Sequence, residues 1–372
     1  MNPAQKYSTP VLKKNVPDDS GKFLPLPKAT GLFPFHLDVQ DIRKLGSQNK
    51  LVFHMLGDTG GLRSADFQRE VVSEMVRQYQ QPDEHGKPQF LYHLGDIVYN
   101  HGEWEEYERQ FFKPFQHYPA PIFAIPGNHD ADVNPDNPAV YSSLDAFRAV
   151  FCDSSPRTVT FSGNAERKSM VQPNLYWSLI TPVARIIGLY GNVTKFGKIE
   201  AEQRRWLVAE LQAANLERKE KAVVLCVHHA PYSADINHGS SLEMIRFLEG
   251  VFAETGIVPD VVFSGHVHNY QRFAKDYPGG KTVPYIVAGG GGYDELHPVA
   301  SLTDNRFSAD NPLLDGVRLV NYCDRRHGFL KISIEKEAGG ITLKGAFYTI
   351  PEDENTGRGA SVKLADEFVI NL

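Results

Sequence analysis

A chain of 372 residues, 41% hydrophobic and 23% charged, reads as an ordinary globular protein with length for one large α/β domain or two smaller ones. Its net charge of -6 argues against a dedicated nucleic-acid or membrane-surface protein, so neither partner is expected. Apolar runs of about 18 residues, the mark of a transmembrane helix, are absent from the sequence.

The polar stretch Met1 to Gly21 lacks the apolar core of a signal peptide. Cys152, Cys226 and Cys323 make neither a disulfide framework nor a local zinc knuckle, and the expected compartment is the cytoplasm. Residues 1–48 are rich in proline and read as an irregular arm over a single domain, 49–372. Leu51 to Leu56 predicts a strand. A helix follows from Ser64, as N-cap, to Gln80, with Phe67, Val71, Met75 and Val76 on its core face.

Phe90 to Leu94 and Ile122 to Ile125 are further buried strands, separated by a helical stretch, Glu103 to Phe112. The segment 131–173 breaks the rhythm with loops around a predicted helix, Val140 to Phe151. Tyr176 to Ile180 and Ala184 to Tyr190 predict a paired set of strands, and Glu200 to Ala213 a helix that buries Trp206, Leu207 and Leu211. Ala222 to Val227 and Val261 to Phe263 are strands, and beyond Val283 the pattern is mostly β. This alternation predicts an α/β fold.

Five of these strands end in polar clusters: Asp58-Thr59-Gly60, Gly95-Asp96-Ile97-Val98-Tyr99, Gly127-Asn128-His129-Asp130, His228-His229-Ala230-Pro231 and Gly265-His266-Val267-His268. Ligands bind beyond the carboxyl ends of strands in open α/β sheets, because the loops there converge on a rigid base. Gly57, Gly95, Gly127 and Gly265 are expected to turn the backbone so that the next side chain reaches a shared centre. His266 and His268 sit two residues apart, roughly 7 Å in extended chain. Metal ions roughly 3.5–4 Å apart would then take one imidazole each.

The order Asp, Gly-Asp, Gly-Asn-His-Asp, His and Gly-His-x-His resembles the calcineurin-like metallophosphoesterase superfamily. Most members begin with Asp-x-His, where this chain has Asp58-Thr59-Gly60. Tyr99, three residues after Asp96, is similar to the tyrosine that replaces that histidine in purple acid phosphatases. The resemblance covers about Leu51 to Tyr348 and implies a four-layer αββα sandwich of two mixed β-sheets flanked by helices.

It implies two metal ions, Fe(III) with Fe(II), Zn(II) or Mn(II), on Asp58, Asp96, Tyr99 and His268 and on Asp96, Asn128, His229 and His266. It also implies a small phosphorylated substrate, contacted by His129 and His238, with Asp130 orienting His129. His228, one residue from the expected ligand on an extended strand, is expected to face the other way.

His54 and His93 read as structural histidines, and Cys226 as a small core hydrophobe. Asn100 and His101 are candidates for the pocket wall, Arg325 and Arg326 for a second anionic group, and Gly289 to Gly292 for a tight turn against the site. The expected activity is phosphomonoester hydrolysis, with phosphodiester hydrolysis by the same ligands as the alternative. A third reading is a non-catalytic protein-binding scaffold, which loss of ligands would signal.

Overall fold

The run Lys50–Leu56 (β3) is buried on both faces from Leu51 onward and is apolar there except for His54, as suits a strand covered on both sides. The computed structural model describes residues 5–81, 83, 86–351 and 362–372, so the first four residues of the expected arm lie outside the described residues. The arm is less irregular than its prolines suggest. Leu12–Lys13 (β1) pairs with Phe307–Ser308, and His36–Asp38 (β2) pairs in parallel with Trp177–Ile180.

The remaining strands are Leu91–His93 (β4), Ile122–Ala124 (β5), Trp177–Ile180 (β6), Ala184–Leu189 (β7), Ala222–Val227 (β8), Val261–Ser264 (β9), Tyr270–Asp276 (β10), Thr282–Ala288 (β11), Phe307–Ser308 (β12), Val317–Cys323 (β13), Gly328–Glu337 (β14), Gly340–Thr349 (β15) and Lys363–Asn371 (β16). One sheet has six strands in the order β16-β15-β14-β3-β4-β5, and another has eight in the order β13-β10-β11-β9-β8-β7-β6-β2. Both are mixed: β3, β4 and β5 run parallel while β14 to β16 are antiparallel, and β7, β8, β9 and β11 run parallel beside antiparallel neighbours.

The two sheets pack with flanking helices as the four-layer α/β sandwich, and one apolar core runs through it from Leu51 and Phe53 to Val224, Phe263 and Leu343. Among the described residues no helix is long and apolar enough to cross a membrane.

Local departures from the sequence reading have physical reasons. The first long helix is Asp66–Gln80, and Ala65, not Ser64, stands at its N-cap position. The turn before it is instead held by the Asp294 carboxylate, which accepts from Leu62 N and Arg63 N at 2.8 and 2.9 Å. The buried face centres on Gln68, Val71, Val72 and Met75; Phe67 is 43% exposed and stacks on His327.

Only Asp145–Phe151 of the expected helix from Val140 is helical, and Val140 is 99% exposed, so its apolar side chain marks no core face. The stretch after Glu103 begins as an α-helix, Trp104–Tyr107, and continues as a wider π-type turn, Glu108–Phe112. That turn brings the buried Gln110 against the loop after β4.

Candidate metal centre

The loops after β4 and β5 in one sheet, and after β8 and β9 in the other, line one cavity of about 340 Å³, and the buried Asp58, after β3, is bonded to Tyr99 on its wall. Three of the strand-end residues, Asp58, Asp96 and His266, adopt φ values of 59°, 54° and 68°. Side chains rarely occupy that left-handed region, and such strain collects at functional sites. The sequence reading gave this turning role to the preceding glycines, but only Gly95 has positive φ. Close approach is what requires Gly127: a Cβ there would stand 2.1 Å from Asp96 Oδ1.

The donor atoms fall into two sets that meet at Asp96. Around Tyr99, the hydroxyl donates to Asp96 Oδ2 at 2.9 Å and Asp58 Oδ1 at 3.2 Å, and lies 3.1 Å from His268 Nε2. Around Asn128, Oδ1 lies 3.0 Å from His266 Nδ1 and 3.2 Å from His228 Nε2, which in turn lies 3.3 Å from Asp96 Oδ2. Asp96, His228 and His266 hold their ligand-capable atoms within 4.8 Å of one another.

Supporting bonds fix each group. His266 N donates to both oxygens of Asp58, and His129 N donates to Asp96 Oδ1. Gln110 brackets Tyr99, accepting from its N at 3.0 Å and donating to its carbonyl at 2.6 Å. His228 Nδ1 donates to Leu94 O at 2.8 Å and His268 Nδ1 to Glu295 O at 3.2 Å. Each bond turns Nε2 toward the carboxylates, as in metal-binding imidazoles.

Gly60 is crowded here: a Cβ would stand 2.4 Å from Gln110 Oε1 and 2.8 Å from both Ile97 O and Tyr99 Cδ2, so Tyr99 and the Gln110 that brackets it leave no room for a side chain at 60.

The electrostatics fit a cation. Burial, then the charge of Asp96, push Asp58 well above the usual carboxylate range against the pull of His228. Burial also opposes ionising Asp96, but His228 and His129 hold its carboxyl below the usual range. Burial lowers His228, yet Asp96 lifts it to about 9. Burial and neighbouring imidazoles push His266 and His268 well down, which keeps them neutral and able to donate a lone pair. His266 Nε2 is buried without a hydrogen-bond partner among the described residues. Two carboxylates, a phenol, an amide and three imidazoles in one buried cluster are the donor types of a metal site.

Two of the expected residues sit differently. His229 Nε2 lies 2.8 Å from Thr194 O, and its Nδ1, buried without a hydrogen-bond partner among the described residues, stands beside Gly191 and Gly197, its ring 4.7 Å from that of His266. It is His228 that meets Asp96 and His266. The two do face opposite ways, but it is His228 that points between the sheets, as its bond to Leu94 O beyond β4 shows. Asp130 does not touch His129. It is fully buried and accepts from Ile97 N, Val98 N and Gly127 N, fastening the Asp96 loop to the Asn128 loop. Burial and the charge of Asp96 push it up to about 7. The carbonyl of Asn100 holds His129 instead, 2.6 Å from Nδ1.

His238 lines the cavity, with its ring 4.2 Å from that of His266. His101 faces Asp132 and, like Arg325 and Arg326, does not line the cavity. His54 and His93 are buried with polar partners, Tyr118 and Gln78 for the first and Thr59 for the second. The glycine run packs on the end of β3, with Gly291 N donating to Gly57 O.

Sequence reasoning missed Lys22, Lys195, Tyr293, Glu295 and His297, all on the cavity wall. Three of these five lie in the loop that follows the glycine run.

Residues 51–270 match the calcineurin-like phosphoesterase family. Purple acid phosphatase 22 of Arabidopsis thaliana is 30% identical over 42% of this chain and 32% of its own length. The Fe(3+)-Zn(2+) purple acid phosphatase 12 of the same plant is 26% identical over 69% of this chain and 55% of its own. The chain thus spans between a third and somewhat over half the length of these curated relatives. Among solved structures, PhoD superposes with a TM-score of 0.52 at 13% identity, over 87% of this chain and 70% of that one. GAP50, the anchor in the inner membrane complex of Plasmodium, gives 0.54 at 13% identity, over 87% and 89%. These two likenesses speak for the fold alone. With the family match running from β3 into β10 and through every strand-end cluster, the chain belongs to the calcineurin-like phosphoesterase family.

Proposed function

We propose that the chain is a binuclear phosphomonoesterase of the purple acid phosphatase type. The observation that carries this reading is the pair of donor sets sharing Asp96 Oδ2, one of them built on Tyr99. Asp58, Asp96, Tyr99 and His268 would hold one ion, and Asp96, Asn128, His228 and His266 the other. Phenolate and carboxylates suit Fe(III), while imidazoles and an amide suit Fe(II), Zn(II) or Mn(II). When bound, the ions would supply Lewis acidity toward phosphoryl oxygens and make water acidic enough to serve as nucleophile.

The chain's own residues would do the rest. His129, with Nδ1 held on Asn100 O, has Nε2 left for the cavity, where an imidazolium could give its proton to the leaving oxygen. Lys22 and Lys195 add positive charge to the same wall, suited to a small phosphorylated substrate. Rigid anchoring of Tyr99 by Gln110 keeps the donors in place without reorganisation.

The test is elemental analysis of purified protein together with turnover of a panel of phosphate monoesters and diesters. Two transition-metal ions per chain and faster monoester turnover support the proposal. One ion per chain, or a preference for diesters, overturns it.

A further inference from the structure

Beside the two donor sets lies a second cluster that the mechanism above does not use. Asp235, His238 and His297 hold ligand-capable atoms within 4.8 Å of one another. Asp235 and His238 come from the loop after β8, and His297 from the loop after β11. The Asp235 carboxylate is fully buried. Its Oδ1 accepts from Ser233 Oγ at 3.0 Å and Gly239 N at 2.8 Å, and its Oδ2 from Asn237 N at 2.9 Å and His238 N at 3.1 Å.

A carboxylate has about four lone-pair directions. These four donors hold the carboxylate rigidly in place, with its negative charge facing both rings at longer range. The Nδ1 atoms of His238 and His297 each stand 3.4 Å from Oδ2. His297 Nδ1 accepts from His268 N at 3.3 Å, which leaves its proton on Nε2, and the Nε2 edges of both rings remain for the cavity that they line. The rings also back onto the donor sets: His238 on His266 and His297 on His268, each at 4.2 Å between centroids.

We infer that His297 contacts the substrate phosphate, paired with His238, and that Asp235 is the positioning residue for both. The inference rests on the phosphoesterase reading above and adds a second imidazole to it. The two rings reach the cavity from different loops. Two N–H donors on rigid mounts suit the non-bridging oxygens of a dianionic phosphate, and charge-assisted bonds of this kind are the strong ones.

The test is calorimetric titration of inorganic phosphate into the metal-loaded protein, with metal content measured on the same samples. His297→Ala and His238→Ala should each weaken phosphate about tenfold, the usual cost of one hydrogen bond to a charged group, at unchanged metal content. His297→Gln, which keeps an N–H donor, should recover part of the loss. Asp235→Asn should weaken phosphate on its own but add little once both imidazoles are gone.

With p-nitrophenyl phosphate, His297→Ala should raise KM by a larger factor than it lowers kcat. Phosphate affinity indifferent to His297→Ala would overturn the inference, as would a further tenfold loss from Asp235→Asn in the doubly substituted protein. A third equivalent of zinc lost on Asp235→Asn would also overturn it, in favour of a metal site. The two readings fail separately. Phosphate held through His297 without ester turnover sinks the proposed function alone, and ester turnover indifferent to His297 sinks this inference alone.

Discussion

The six-stranded sheet delivers oxygen to the centre and the eight-stranded sheet delivers nitrogen. Asp58, Asp96, Tyr99 and Asn128 all follow β3, β4 or β5, whereas His228, His266 and His268 follow β8 or β9. The two halves differ electrostatically. Burial and mutual repulsion strain the oxygen half, with Asp58 driven well up and Tyr99 raised by burial and both carboxylates. In the nitrogen half His266 and His268 are pushed down, while Asp96 lifts His228 to about 9. A cation would relieve the first half and displace the His228 proton in the second. The oxygen side therefore has more to lose from a substitution.

The largest expected effect follows from Asp96, the one group common to both donor sets. Asp96→Asn should remove bound metal and cut turnover about a thousandfold or more, read by elemental analysis and a phosphatase assay on the same sample. Full turnover by this variant would break the binuclear reading. Next comes the nitrogen half. His228→Ala should lose close to one metal equivalent and about a hundredfold in turnover. His229→Ala should keep its metal and show its cost mainly as a lower melting temperature. The reverse result would return His229 to the donor set. Smaller still is Tyr99→Phe, which should abolish any visible charge-transfer band of an iron-loaded protein while leaving the fold intact. A band that survives would remove the tyrosine–iron bond from the account.

Much of this was legible in the sequence because the donors lie immediately after apolar strands, where chemistry and local order coincide. Gly60 and Tyr99 could be read against each other, and in the structure the phenol ring, Gln110 Oε1 and Ile97 O together crowd the volume beside Gly60 Cα. What was not legible depends on contacts between distant segments. Parity along β8 said that His228 and His229 face opposite ways, but not which of them faces β4. Asp130 adjoins His129 in sequence, yet the backbone N–H groups of Ile97 and Val98 claim it. Lys22 reaches the cavity because the N-terminal arm runs past its mouth, and His297 because a loop after β11 returns to it. No local pattern reports either.

The comparison between halves also has a control inside the six-stranded sheet, where His54 sits in the middle of β3 rather than beyond its end. It is fully buried and lies 3.1 Å from Tyr118 OH and 3.2 Å from Gln78 Oε1. Burial drives its pKa down to about 3, against the help of Gln78. The folded value thus lies below the ordinary one of about 6.5. Between these two values the unfolded chain binds the extra proton, so His54 costs stability progressively as pH falls from about 6.5 toward 3 and costs none above it. At pH 4.5 the cost is at most roughly 2–3 kcal/mol, a few degrees in melting temperature. Thermal melts at pH 7 and pH 4.5 should therefore show a smaller drop for His54→Gln than for the parent, because acid effects on carboxylates and bound metal are common to both. Equal drops would mean that His54 takes up its proton in the fold without penalty, and that an imidazole inside β3 is no more constrained than one at its end.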